Sequence, residues 1–189
     1  HSYNKYGRKR NKHMYAYIAL NALFFIALIV SILLTVKSNK ADFEKSMMYL
    51  FFGIFTSFLL IPLHEYIHAL AYKSQGATQT SYDANWKKFY FMAIADKFVA
   101  SRKELFIVAL APFVVISALL LLLLPFISLV YSIFVWSVLL MHASCCSGDF
   151  ALLSYFETHK DKTVVAYDDK ANRISYFYNL SDANYNVSN

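Results

Sequence analysis

His64-Glu65-Tyr66-Ile67-His68 sets two imidazoles four positions apart, with a carboxylate beside the first. On a helix, residues i and i+4 share a face, so both rings can grip one ion. Imidazole nitrogen suits zinc, at about 2.0–2.1 Å. Glu65 points partly around such a helix, toward a water on the metal. There it can act as general base while zinc lowers that water's pKa toward about 7. A catalytic zinc takes three protein ligands and keeps one position open. The third ligand must come from elsewhere in the chain.

The stretch MHASCCSGDF, residues 141 to 150, is the source to consider. His142, the cysteines Cys145 and Cys146, and Asp149 recur at spacings that form one stripe if the helix continues through them. Asp149 is the favoured ligand. Cys145, Cys146 and His142 stay open as alternatives, since thiolate and imidazole both bind zinc. A non-ligating His142 would hydrogen-bond a neighbouring group of the site. Non-ligating cysteines would be small buried side chains. Gly148 is expected to let a neighbouring helix approach closely. Adjacent cysteines build no disulfide framework, so they carry no argument for an oxidising compartment.

The elements that must position these groups are membrane helices. The chain of 189 residues is 58% hydrophobic and only 16% charged, against about 25% charged in an ordinary soluble domain. Residues 14–36 and 105–148 carry no Asp, Glu, Lys or Arg, and residues 46–72 carry only Glu65. A span needs about 20 apolar residues. The runs predict four spans, over about 14–36, 47–72, 105–124 and 127–147, with a turn at Pro125. The first run has a longer apolar core than a signal peptide and no small-residue cleavage site after it, so it reads as a retained span. Each ionisable group inside a span costs about 2.5 kcal/mol or more, so such groups are rarely idle. Pro62, just before His64, leaves the Phe58 carbonyl without its helix partner and is expected to bend the second span.

The formal charge of +6 does not point to nucleic acid, because the basic residues flank the spans. Lys5, Arg8, Lys9, Arg10 and Lys12 precede the first; Lys73, Lys87, Lys88, Lys97, Arg102 and Lys103 lie between the second and third. The positive-inside bias puts both termini and the loop 73–104 in the cytoplasm. The second and fourth spans then run in the same direction, so His64, His68 and Asp149 lie at similar depth and can meet. The loop contains strand-forming residues, with a hairpin expected to turn near Asp83-Ala84-Asn85, helix over 87–98 being the alternative. Two further strands are expected around a polar turn at residues 168–172. Asn179-Leu180-Ser181 and Asn186-Val187-Ser188 match the glycosylation pattern, but a cytoplasmic tail makes them accidents of an Asn- and Ser-rich terminus. The organisation expected is a membrane-embedded domain over 1–158 and a cytoplasmic tail over 159–189.

A helical His64-Glu65-Tyr66-Ile67-His68 followed two spans later by Gly148-Asp149 resembles the site-2 protease superfamily of intramembrane zinc metalloproteases. It is more closely similar to the bacterial membrane proteins described as putative zincin peptidases. SRKELFIVALAPFVV, residues 101 to 115, looks like the stretch that opens the third helix in such proteins. The resemblance covers roughly residues 45–155. It departs from the better-known members, which carry the third ligand in an Asn- and Pro-rich segment ending Leu-Asp-Gly and often have Gly-Pro where this chain has Leu-Ala-Pro. The resemblance implies a zinc metalloendopeptidase in a bacterial cell membrane, cutting transmembrane or membrane-proximal peptides. His64, His68 and Asp149 would hold Zn2+, and Glu65 would be the general base. The rival classes are a metal-binding membrane protein without hydrolytic activity and a structural protein whose polar groups lock helices together.

Overall fold

A computed structural model describes residues 11–85, 90–170 and 174–180. Helix α1 spans Lys12–Ser38 and α2 spans Lys40–Leu59; a break at Leu60 leads into α3, Ile61–Ser74. Strands β1 (Ser81–Asn85), β2 (Tyr90–Ile94) and β3 (Val99–Ser101) follow, then α4, Arg102–Leu123. A 3-10 turn at Leu124–Phe126 carries Pro125 and reverses the chain into α5, Leu129–Cys145. Helix α6 spans Ser147–Thr158, and strands β4 (Val164–Asp169) and β5 (Ile174–Asn179) complete the fold.

The helix ends are written in the sequence. Asn11 caps α1 through its side-chain oxygen, which accepts from the backbone N–H of His13 and Met14. Asn39 separates α1 from α2 in extended backbone and caps the second with a bond from Asp42 N–H. Ser101 and Glu104 form a reciprocal capping box at the start of α4, with Glu104 Oε2 2.7 Å from the Ser101 amide.

Two helices, Lys12–Ser38 and Arg102–Phe126, are long and apolar enough to cross a membrane. Two bent pairs qualify if each is counted as one span: α2 with α3, bent by 43°, and α5 with α6, bent by 45°. The break in the first pair falls at Leu60, two residues before Pro62, so the expected kink is a full interruption with the proline inside the first turn of the new helix. The fourth expected span runs further than its charge-free window. It breaks at Cys146 and continues to Thr158, so the proposed stripe from His142 to Asp149 does not lie on one continuous helix.

Helices α2 and α5 pack at short range because small residues face each other. Ser46, Gly53 and Ser57 are the buried positions of α2, and a Cβ at Gly53 would stand 2.7 Å from the Phe134 carbonyl oxygen. Gly148 does not play that part. A Cβ there would meet nothing within 4 Å, because it sits at the exposed start of α6.

Two small antiparallel sheets cover one end of the helices. Strands β1 and β2 pair with Tyr82 opposite Ala93 and Asp83 opposite Met92. Asp83, Ala84 and Asn85 therefore belong to a strand and not to the expected turn; the hairpin's connection, residues 86–89, lies outside the described residues. The second sheet has the order β3-β4-β5, so residues that follow the last helix pair with the strand that leads into α4, Val99 opposite Tyr167. Its Ala100, Val164 and Ala166 join Tyr72, Leu105, Val108 and Phe156 in one buried apolar cluster. Asp168 and Asp169 pair with Ser175 and Ile174 as the end of β4, so the turn expected at 168–172 starts later, at Lys170; residues 171–173, the basic run of residues 5–10 and the 186–188 pattern fall outside the described residues.

Candidate metal centre

The break at Leu60 restarts the helix so that His64 stands in the first turn of α3, its amide bonded to the Leu60 carbonyl at 2.8 Å. His68 follows one turn later and is buried. The break at Cys146 does the same for Asp149, which lies in the first turn of α6, where the positive end of the helix dipole favours a carboxylate. Two interruptions, one in each bent pair, thus bring two helix beginnings together.

The three side chains meet. His64 Nε2 and His68 Nε2 are 3.0 Å apart. Asp149 Oδ2 is 3.4 Å from His64 Nε2, and Oδ1 is 3.3 Å from His68 Nε2. Bonds of about 2.0–2.1 Å from a tetrahedral zinc set neighbouring ligand atoms about 3.3 Å apart. The observed separations are close to that edge length. The donor set is also the right chemistry: two imidazole nitrogens and a carboxylate. These residues fit a zinc ion.

The outer nitrogens of the two rings are held differently. His68 Nδ1 lies 2.9 Å from the Val108 carbonyl oxygen on α4. His64 Nδ1 lies 3.2 Å from His142 Nε2 on α5. A donor on the far ring nitrogen sets which nitrogen is bare for a metal, the usual arrangement around histidine ligands. His142 therefore sits behind His64, on the side away from the Asp149 contact, and its own Nδ1 is buried with no partner among the described residues.

Of the cysteines, Cys145 is exposed and Cys146 buried. Cys146 Sγ is 4.0 Å from His142 Nε2. His64, His142 and Cys146 form a second group whose donor atoms lie within 4.8 Å of one another. That group is looser than the triangle with Asp149, and its His142–His64 contact uses the nitrogen of His64 that faces away from His68.

Glu65 belongs to the cleft. Its Oε2 accepts the Ala93 backbone N–H at 2.7 Å. The Ala93 amide thus points away from β1 and toward Glu65 on α3. Together with Phe91, Met92, Leu152 and Phe177, the site residues line a cavity of about 570 Å³, which reaches the triangle of His64, His68 and Asp149. On its far wall Ser175 Oγ–H donates to Asp168 Oδ1 at 2.6 Å.

Sequence reasoning missed two groups, both backbone: the Val108 carbonyl and the Ala93 amide. Pro112, four residues after Val108, was a readable signal for the first. The second depends on strand register, for which the sequence has no local marker.

Residues 57–164, more than half of the chain, match the family described as putative zincin peptidase. That stretch contains every residue of the triangle, Glu65, and the elements from the end of α2 to the start of β4. No curated protein matches the chain. No solved structure matches it either.

Proposed function

The chain belongs to the putative zincin peptidase family, and from that membership we propose that it is an intramembrane zinc metalloendopeptidase. The observation that carries this reading is the meeting of His64 Nε2, His68 Nε2 and Asp149 at 3.0–3.4 Å beside Glu65. His64, His68 and Asp149 hold the zinc. Bound there, zinc supplies Lewis acidity, lowering the pKa of a water toward about 7 and polarising a peptide carbonyl.

Glu65 does the proton work. One carboxylate oxygen is engaged by the Ala93 amide; the other takes a proton from water and delivers it to the leaving amine nitrogen. The apolar walls at Phe91, Met92, Leu152 and Phe177 keep bulk water from the reacting bond. The substrate is a transmembrane or membrane-proximal peptide. Its carbonyls are engaged in their own helix, so a segment must unwind before it can be cut. A strand of the 78–95 loop accommodates that segment by strand addition, exchanging backbone hydrogen bonds with it.

The setting is a lipid bilayer. Four helical segments are apolar enough to cross it, two of them as bent pairs. Their outward faces carry large apolar groups, Phe51 at 70% and Leu122 at 66% exposure, which favours lipid as their neighbour. The basic flanks put both termini and the strand-bearing loop on the cytoplasmic side of a bacterial cell membrane.

Elemental analysis of the detergent-purified protein tests the metal. About one zinc per chain, lost in His68→Ala and Asp149→Ala, is the expected result; no metal after zinc is supplied would sink the reading. Glu65→Gln is expected to keep the zinc and end proteolysis. A protein that binds metal without hydrolysis would show no cleavage for Glu65→Gln to remove.

A further inference from the structure

Helix α4 has a proline in its interior, Pro112. Proline has no N–H, so the carbonyl four residues earlier, that of Val108, loses its helix partner. Both residues are buried, and a buried carbonyl without a donor costs about 1–3 kcal/mol. The carbonyl has found its donor on another helix. His68 Nδ1 approaches it at 2.9 Å.

A carbonyl oxygen can only accept, so the proton of this bond sits on His68 Nδ1. In the neutral ring Nε2 is then a bare lone pair, and Nε2 is the atom that faces His64 Nε2 at 3.0 Å and Asp149 Oδ1 at 3.3 Å. We propose that Pro112 is a positioning residue of the metal centre: by withholding one hydrogen bond from α4, it supplies the carbonyl that fixes the tautomer and ring orientation of His68. This rests on the zinc reading above. His64 has no equivalent device, because its Nδ1 faces another imidazole, and an imidazole nitrogen can donate or accept.

A carbonyl has two lone pairs, so an N–H at position 112 would not exclude His68 outright. It would draw the Val108 oxygen back along the helix axis, whereas the proline ring crowds that carbonyl and tilts it outward. The bond to His68 would lengthen and its direction would change.

The test is Pro112→Ala in the full chain. Zinc affinity, measured by competition with a chromogenic chelator, is expected to fall about 10-fold or more, the range for lost partners of histidine ligands. Thermal stability of the zinc-free protein is expected to hold or rise, since alanine restores a helix hydrogen bond. A proline with a merely structural role would lower both together, and unchanged affinity would overturn the proposal. The imidazole nitrogen shifts of His68 in zinc-free wild-type protein give a second reading that needs neither the variant nor the metal. A proton on Nδ1 supports the proposal, and a proton on Nε2 overturns it. Wild-type protein that takes up no zinc would defeat the peptidase reading, while these shifts would still decide the role of the Val108 carbonyl.

Discussion

His142 is buried behind His64, its Nε2 3.2 Å from His64 Nδ1. Zinc drawn by Nε2 of His64 would feel His142 only through the ring between them. Replacing His142 by alanine is therefore expected to weaken zinc binding about 10-fold and not to abolish it. Abolition in a chelator titration would instead make His142 a ligand, with Cys146 as its natural companion. At this scale the sequence was informative wherever the chemistry was local. His64, Glu65 and His68 are one helical turn, and their common face follows from spacing alone. Asp149 was reachable because, in a chain of four spans, the second and fourth would run in the same direction and could bring it to the histidines, where the structure has it. Gly148 was misread because an open helix start and a close helix crossing both favour glycine, and only neighbours distinguish them.

The elements work by interruption. Each bent pair breaks just before a residue of the site, at Leu60 and at Cys146. Pro62 announced the first break. Nothing of the kind announced the second, since Cys146 is followed by no proline and the helix resumes at once. Strand β2 adds the partner of Glu65. Its Ala93 amide points away from β1, so a proline there removes the bond to Glu65 without breaking the β1–β2 ladder. Ala93→Pro is expected to retain zinc and to lower the cleavage rate; full activity would remove β2 from the mechanism. Sequence indicated strands on both sides of residues 86–89. It misplaced the turn, because Asp-Ala-Asn reads as turn chemistry yet here pairs with residues 90–92.

For the whole molecule, one end carries charge and sheets while the helices expose hydrocarbon. Lys12 and Arg102 meet Glu157 at 3.1 and 3.0 Å, joining the starts of α1 and α4 to the end of α6. Tags at either terminus are expected to be accessible from the cytoplasm alone; access of one from the outside would overturn the proposed topology. Asp168, on the sheet beside the cleft, should make stability pH-dependent. Burial raises its pKa above the ordinary carboxylate range, opposed by bonds from Ser175 and the Ala95 backbone. The folded protein then holds this proton more tightly than the unfolded chain, so stability declines as pH rises from the ordinary carboxylate value through the raised one. Asp168→Asn is expected to lessen that decline, read as a smaller difference in melting temperature between acid and neutral pH. The long apolar helices, two to four of them able to cross a membrane, were legible from charge-free runs, which is a property of composition. That the tail would close over the cleft was not, because pairing between β3 and β4 joins residues more than sixty positions apart.

That pairing has a consequence for biosynthesis. The ribosome releases His64, Glu65, His68 and Asp149 before it releases Asp168 and Phe177, which line the cleft from β4 and β5. A nascent chain can therefore assemble the metal triangle while one wall of the cleft has yet to be translated. The cavity is completed only after every described helix has been synthesised, and a chain stalled at residue 158 would hold His64, His68 and Asp149 without the wall that β4 and β5 supply.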